Sequence, residues 1–310
     1  MGAGTVDVLG LIGGTPLVRL DGLGATGRLL AKAEFLQPGG SVKDRAAKRI
    51  IGEARRSGAL APGQPVVEMT SGNMGAGLAV VCAVLGHPFT AVMSAGNSPE
   101  RVRMLQALGA EVVLCPQVDG APGRVTGADI ARAEVQARTL AQERGAYYVD
   151  QFNNPGSTEA HRLGTGPEIW EQTGGRLDAF IAAVGSGGTF VGTAGFLKAR
   201  QPSIACIAVE PQGAAVLAGG AVTDARHLLQ GIGYGAVPPH WRPELCDGYE
   251  AVGDAEATAM RSTLACRAGL HVGFSAAANV CAALRVLSRL GAQATVVTVL
   301  CDTGLKYGQP

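Results

Sequence analysis

Short apolar runs alternate with helix-length stretches along the whole chain, and this alternation narrows the fold more than any other feature. Residues 29–35, 66–68, 89–93, 111–114, 147–149, 180–184, 204–209 and 294–300 read as strands, with room for a helix between most neighbours. A strand that returns only after a helix lies parallel to the previous one, and parallel strands are covered on both faces, so their sequences are nearly continuous in apolar residues. The expected class is therefore α/β, with mainly parallel sheets covered by helices. At 310 residues the chain is long enough for two cores. The polar stretch 151–157 is the best boundary and 37–40 the second crossing, which gives two sheets and not one. Residues 214–239 are less regular and read as a loop-rich cover over the site.

Composition removes several function classes. Hydrophobic residues make up 47% and charged residues 16%, with a net charge of +1 and no dense basic stripe. Nucleic-acid binding needs clustered Lys and Arg, so it is not expected. The 46 glycines are scattered among apolar runs, unlike the strict period of collagen. Seven cysteines stand singly, mostly inside apolar runs, with no C-x-x-C pair and no Cys/His cluster; a disulfide framework or a metal site is not expected. The first six residues have neither the charged region nor the apolar core of a signal peptide. No apolar run approaches the ~20 residues of a membrane span. The expectation is a cytoplasmic protein with no membrane partner.

Four segments carry chemistry. In Gly39-Gly40-Ser41-Val42-Lys43-Asp44-Arg45, Lys43 stands between glycines and a helical stretch. Partial burial there would lower its amine pKa and let it form a Schiff base with an aldehyde, although a solvated surface lysine is the simpler reading. In Thr70-Ser71-Gly72-Asn73-Met74-Gly75 a small polar turn links a strand to a helix start. Such a turn offers N–H groups, two hydroxyls and an amide to a carboxylate, or is an ordinary helix cap. Gly185-Ser186-Gly187-Gly188-Thr189 also links a strand to a helix. Its glycines allow successive N–H groups to wrap a phosphate, or simply allow tight packing. It lacks both the G-x-G-x-x-G spacing and the Gly-Lys-Ser/Thr ending, so a phosphate monoester suits it better than a nucleotide. Ser275, before a long apolar helix, is either an N-cap or a functional hydroxyl.

Taken together these segments resemble the fold-type II pyridoxal phosphate (PLP) enzymes, the tryptophan synthase β-like fold, and within them the cysteine synthase and cystathionine β-synthase family. The resemblance runs from Ile12-Gly13-Gly14-Thr15-Pro16-Leu17 to Asp302-Thr303-Gly304 and includes Leu108-Gly109-Ala110-Glu111, Gly166-Pro167-Glu168-Ile169-Trp170 and Gln230-Gly231-Ile232-Gly233. It implies a smaller mobile domain over residues 39–150, a larger one from 1–38 and 151–310, and PLP in the cleft between them. It also implies a homodimer, a small amino-acid substrate and a small nucleophile. Lys43 would hold PLP through its amine and then act as base at the substrate Cα. Asn73 would bond the ring oxygen, Gly185, Ser186, Gly187, Gly188 and Thr189 the phosphate, and Ser275 the pyridine nitrogen. Thr70, Ser71, Met74 and Gln151 would hold the substrate carboxylate, with Tyr234 also facing the substrate.

A neutral hydroxyl at the pyridine nitrogen makes a weaker electron sink than a carboxylate would, which favours loss of a β-substituent over transamination. The expected reaction is β-replacement on an activated serine, such as O-acetylserine, by sulfide or another nucleophile to give cysteine or a cysteine-like amino acid. Three departures from the family pattern bear on substrate choice: Met74 where close relatives have Thr, Ala276-Ala277 in place of Ser-Gly, and Tyr234 where cysteine synthases have Ala and the cystathionine β-synthase branch has Tyr. A cystathionine β-synthase-type condensation or a β-eliminating lyase acting on serine or cysteine stays open. A nicotinamide-dependent oxidoreductase is opposed by the missing dinucleotide fingerprint, and a silent binding protein by the presence of Lys43, Asn73 and Ser275 together.

Overall fold

The computed structural model describes residues 5–24, 26–122, 125–224 and 226–307. The chain start read for a leader falls outside these residues through position 4. Among the described residues ten strands are present: β1 (Leu17–Arg19), β2 (Arg28–Ala33), β3 (Val66–Met69), β4 (Phe89–Ser94), β5 (Glu111–Cys115), β6 (Tyr147–Tyr148), β7 (Ala179–Ala183), β8 (Ala205–Pro211), β9 (Gly248–Val252) and β10 (Thr295–Leu300). The α-helices are α1 (Lys43–Ser57), α2 (Asn73–Leu85), α3 (Pro99–Ala107), α4 (Gly127–Glu143), α5 (Gly156–Ala160), α6 (Gly166–Thr173), α7 (Gly188–Arg200), α8 (Asp254–Ala268) and α9 (Phe274–Leu290). A π-helical turn, His161–Thr165, joins α5 to α6. The chain divides into two compact units, one of residues 5–13 and 37–157 and the other of 14–36 and 158–307.

The first unit is built on a four-stranded sheet of order β5-β4-β3-β6 in which every pairing is parallel. Val67, Val92 and Cys115 point from three strands onto Ala133, Ala137 and Ala141 of α4. Those alanines recur every four residues, so they form one stripe that lets the helix lie close on the sheet. α1 and α2 approach closely because α2 carries Gly77 at the crossing. A Cβ there would stand 3.1 Å from the Asp44 Cα and 3.2 Å from the Ala47 Cβ. This glycine brings the N-terminal turn of α1, with Lys43, beside the first turns of α2.

The second unit holds a six-stranded sheet of order β1-β2-β10-β7-β8-β9. β1 pairs antiparallel with β2, and the remaining pairings are parallel. The inner strand β10, Thr-Val-Val-Thr-Val-Leu, is buried at every position, as a strand covered on both faces must be. α9 packs against it, and from Phe274 to Ala283 every residue of that helix is buried. A run of Ala276, Ala277, Ala278, Ala282 and Ala283 leaves a thin helix that α8 and the sheet can approach from two sides. Among the described residues no helix is long and apolar enough to cross a membrane. All seven cysteines are free thiols, and burial pushes those of Cys82, Cys206 and Cys281 up to about 12, so they pack as core atoms.

Candidate active site

In the first unit, Lys43 is the first residue of α1 and is half-buried, and its N–H lies 3.3 Å from the Ser41 hydroxyl. The Gly39 N–H donates to the buried Asp44 carboxylate, and a Cβ on Gly39 would run into that carboxylate. The glycine and the acid at the helix start thus fix the turn that carries Lys43.

The turn at residues 70–75 takes shape where β3 gives way to α2. Gly72, not a hydroxyl residue, is the N-cap, with φ −147° and ψ −132°. The capping bond comes instead from Thr70, whose Oγ1 accepts the Gly75 N–H at 3.0 Å. The capping reading of this turn is therefore realised by Thr70, while Asn73 and Met74 are the first two residues of the helix. Met74 is buried and Ser71 half-buried. Arg101 of α3 donates to the Ser71 hydroxyl at 3.3 Å and to the Asn97 carboxamide at 3.4 Å. This guanidinium was not foreseen, because in sequence it reads as one charge among several on a helix surface.

Gln151 joins the same unit through an unforeseen partner, Glu68. The Glu68 Oε1 accepts the Gln151 side-chain amide at 3.1 Å and its backbone N–H at 3.4 Å, while Oε2 accepts the Asp150 N–H at 2.9 Å. Glu68 is 1% exposed. Loss of water outweighs the three N–H groups and pushes its carboxyl up to about 8. Val66-Val67-Glu68-Met69 does carry a signal: an acid inside a strand covered on both faces needs polar partners.

In the second unit, β7 leads into Gly185–Thr189 and α7 begins at Gly188, two residues earlier than the sequence suggests. The N-cap Gly187 has φ +91°, which L-residues rarely adopt, and among the described residues no side chain caps the helix. The first-turn N–H groups of a 13-residue helix and its dipole are thereby presented at a turn of three glycines, an arrangement that can hold a phosphate monoester. Gly185 is also required for packing, since a Cβ there would land on the Gly231 carbonyl oxygen. Thr189 Oγ1 lies 3.2 Å from His161 Nε2, and His161 Nδ1 lies 2.9 Å from Thr165 Oγ1. The π-helical turn thus anchors the threonine of the cradle. Trp241 packs on Phe190 with ring centroids 5.4 Å apart and backs the turn from the other side.

Ser275 is the second residue of α9, whose N-cap is Gly273, so the plain N-cap reading does not hold. Its hydroxyl donates to the Gln230 carbonyl at 3.4 Å. Gln230 adjoins Gly231, whose carbonyl sits against Gly185, so the 230–231 segment links Ser275 to the phosphate-type turn. Tyr234 follows on the same segment and is 49% exposed. Among the described residues of 215–242 there is no helix or strand, in keeping with an irregular loop. The donor set fits PLP. A half-buried amine suits its aldehyde, an uncapped glycine-rich helix start its phosphate, and a neutral hydroxyl its ring nitrogen.

Known proteins match along nearly the whole chain. The profile of the pyridoxal-phosphate dependent enzyme family covers residues 8–302. A cysteine synthase of Staphylococcus aureus is 39% identical over 304 residues, spanning 97% of this chain and 94% of the relative. The crystal structure of O-ureido-L-serine synthase superposes with a TM-score of 0.90 at 34% identity, covering 99% of this chain and 94% of that one. An O-acetylserine dependent cystathionine β-synthase from Helicobacter pylori gives a TM-score of 0.89 at 34% identity, covering 98% and 97%.

Proposed function

We propose the reaction from the family: the chain belongs to the pyridoxal-phosphate dependent enzymes, within the cysteine synthase and cystathionine β-synthase group, and it replaces the β-substituent of an activated serine such as O-acetylserine by sulfide or a comparable small nucleophile. When bound, PLP supplies an electron sink conjugated to the substrate's amino group. The Lys43 amine holds the cofactor and, once displaced by the substrate, its Nζ takes the proton from Cα. The N–H groups of Gly185–Thr189 bind the phosphate at the start of α7, and Asn73 bonds the ring oxygen. Thr70, Ser71, Gln151 and the turn at Met74 orient the substrate carboxylate so that the Cα–H bond faces the base. Tyr234 lies on the segment beside the cradle and meets the leaving group or the nucleophile.

The observation that carries this reading is the chemistry of Ser275. Its uncharged hydroxyl, donating to Gln230, cannot hold a proton on the pyridine nitrogen as a carboxylate would. Electron density withdrawn from Cα is then better relieved by expelling a β-substituent than by prolonged storage on the ring. The homodimer and cytoplasmic location implied by the resemblance form part of the proposal, for light scattering and cell fractionation to test.

Mixing the purified, PLP-loaded protein with O-acetylserine, O-phosphoserine and serine in turn tests the reaction. The expected result is a spectral change with O-acetylserine and release of cysteine when sulfide is added. Pyruvate without any nucleophile would replace this reading with a β-eliminating lyase. Turnover of serine with a larger thiol, but not with sulfide, would replace it with a condensation of the cystathionine type.

A further inference from the structure

We propose that Glu68 is the positioning residue for Gln151, orienting its side-chain amide toward the carboxylate of the amino-acid substrate. This deepens the function proposed above and rests on the carboxylate-binding role given there to Gln151. Three observations within the first unit converge on it. One carboxyl group gathers the backbone N–H groups of Asp150 and Gln151 and the Gln151 side-chain amide. Asp150 has φ +54°, and it is the one non-glycine among the described residues with a positive φ. Gln151 is also fixed from behind, because the Ser157 hydroxyl donates to its carbonyl at 2.8 Å.

A left-handed backbone at an L-residue is uncommon and clusters where function constrains the chain. Here it turns two consecutive N–H groups toward the same acid. The remaining Asp150 contacts hold that conformation: Asn153 donates to one carboxylate oxygen at 2.8 Å and Arg138 to the other at 3.2 Å. Burying a carboxyl group away from water is costly, so the end of β3 is a poor place for an acid that only fills space. What Glu68 supplies is direction. Above about pH 8, where the carboxyl is ionised, both oxygens are acceptors only, which requires the Gln151 amide to present its nitrogen to Glu68 and fixes the rotation of the whole carboxamide.

Measured above pH 8, where the wild-type acid is ionised, Glu68→Gln keeps the shape but turns one acceptor into an NH2 donor, so either Asp150 or Gln151 loses its partner. Glu68→Asp keeps the acid but is one methylene too short to serve both, and it provides a second variant should the first fold poorly. The probe is L-alanine, which carries the α-carboxylate but no β-substituent to expel, titrated into PLP-loaded wild type, Glu68→Gln, Glu68→Asp, Gln151→Ala and the Glu68→Gln/Gln151→Ala double variant. Each Glu68 variant is expected to weaken L-alanine binding about three- to tenfold, the size of one hydrogen bond. PLP content should be unchanged, and KM for O-acetylserine should rise while kcat stays within about twofold. The double variant should bind no more weakly than Gln151→Ala alone, because both changes remove one interaction. Wild-type affinity in both Glu68 variants, or losses that multiply in the double variant, would overturn the assignment. Wild-type affinity in Gln151→Ala would overturn it together with the role of Gln151. A wild type that binds L-alanine and shows this coupling, yet makes no cysteine from O-acetylserine and sulfide, would refute the proposed reaction and leave Glu68 in place.

Discussion

Glu68 shows at the scale of one residue how burial becomes a measurable property. Its carboxyl is pushed up to about 8 in the folded protein, from 4.5 in the unfolded chain, chiefly by loss of water. The folded state therefore binds a proton more tightly. Its contribution to stability is fully present below about pH 4.5 and is lost as pH rises through about 8. Denaturant titrations between pH 5 and 9 should show wild-type stability falling over this window. In Glu68→Gln that component, of order 2–4 kcal/mol, should be missing. Equal slopes for the two proteins would mean that Glu68 does not titrate in that window. Ser275 makes the second prediction at this scale. Ser275→Asp places a charge at the position proposed for the pyridine nitrogen, deepening the electron sink and slowing loss of the β-substituent. Steady-state assays should show more than about tenfold loss of cysteine formation, about 1.4 kcal/mol on the barrier, with the PLP content of the wild type. Unchanged turnover would remove Ser275 from that position.

At the scale of elements, the strand-to-helix turns serve packing and, in the proposed reaction, binding, and glycine is where the two meet. Gly187 at φ +91° starts α7, and a Cβ there would stand 3.2 Å from the His240 Cβ. Gly187→Ala should therefore cost about 1–3 kcal/mol in thermal unfolding and weaken PLP binding measured by dialysis. Loss of neither would show that the cradle does not depend on this backbone conformation. The eight strands read from sequence are all present, because long apolar runs in parallel sheets leave a plain pattern. β1 and β9 were not legible. Leu17–Arg19 is a three-residue edge strand ending in a charge, and Gly248–Val252 opens on glycine and alternates tyrosine, glutamate and alanine, a weak signal without its neighbour β8. The turns at 70–75 and 185–189 were legible as strand-to-helix turns. Their supports were not, since His161 lies far from 185–189 in sequence and Arg101 resembles an ordinary surface charge; Glu68 was legible as a buried acid, but not its partner Gln151. A partner brought in by tertiary contact leaves no mark in local spacing.

At the scale of the whole molecule, each unit carries one share of the proposed chemistry, with Lys43, Asn73 and Gln151 in the first and the turn at 185–189 with Ser275 in the second. The proposed reaction needs both. It also needs one lysine to hold PLP, which the proposal places at Lys43, the first residue of α1. Lys32 is fully buried, pairs with Glu168 at 2.6 Å and donates to Gln172 at 2.9 Å. Lys48 donates to the Leu9 and Ile12 carbonyls at 2.8 and 3.2 Å. Lys198 pairs with Asp247 at 2.7 Å. The most direct measurement is therefore borohydride reduction of the purified protein followed by peptide mapping. The account predicts a yellow protein that bleaches on reduction and carries one phosphopyridoxyl group, on Lys43. A label on Lys32, Lys48 or Lys198, or none at all, would contradict it.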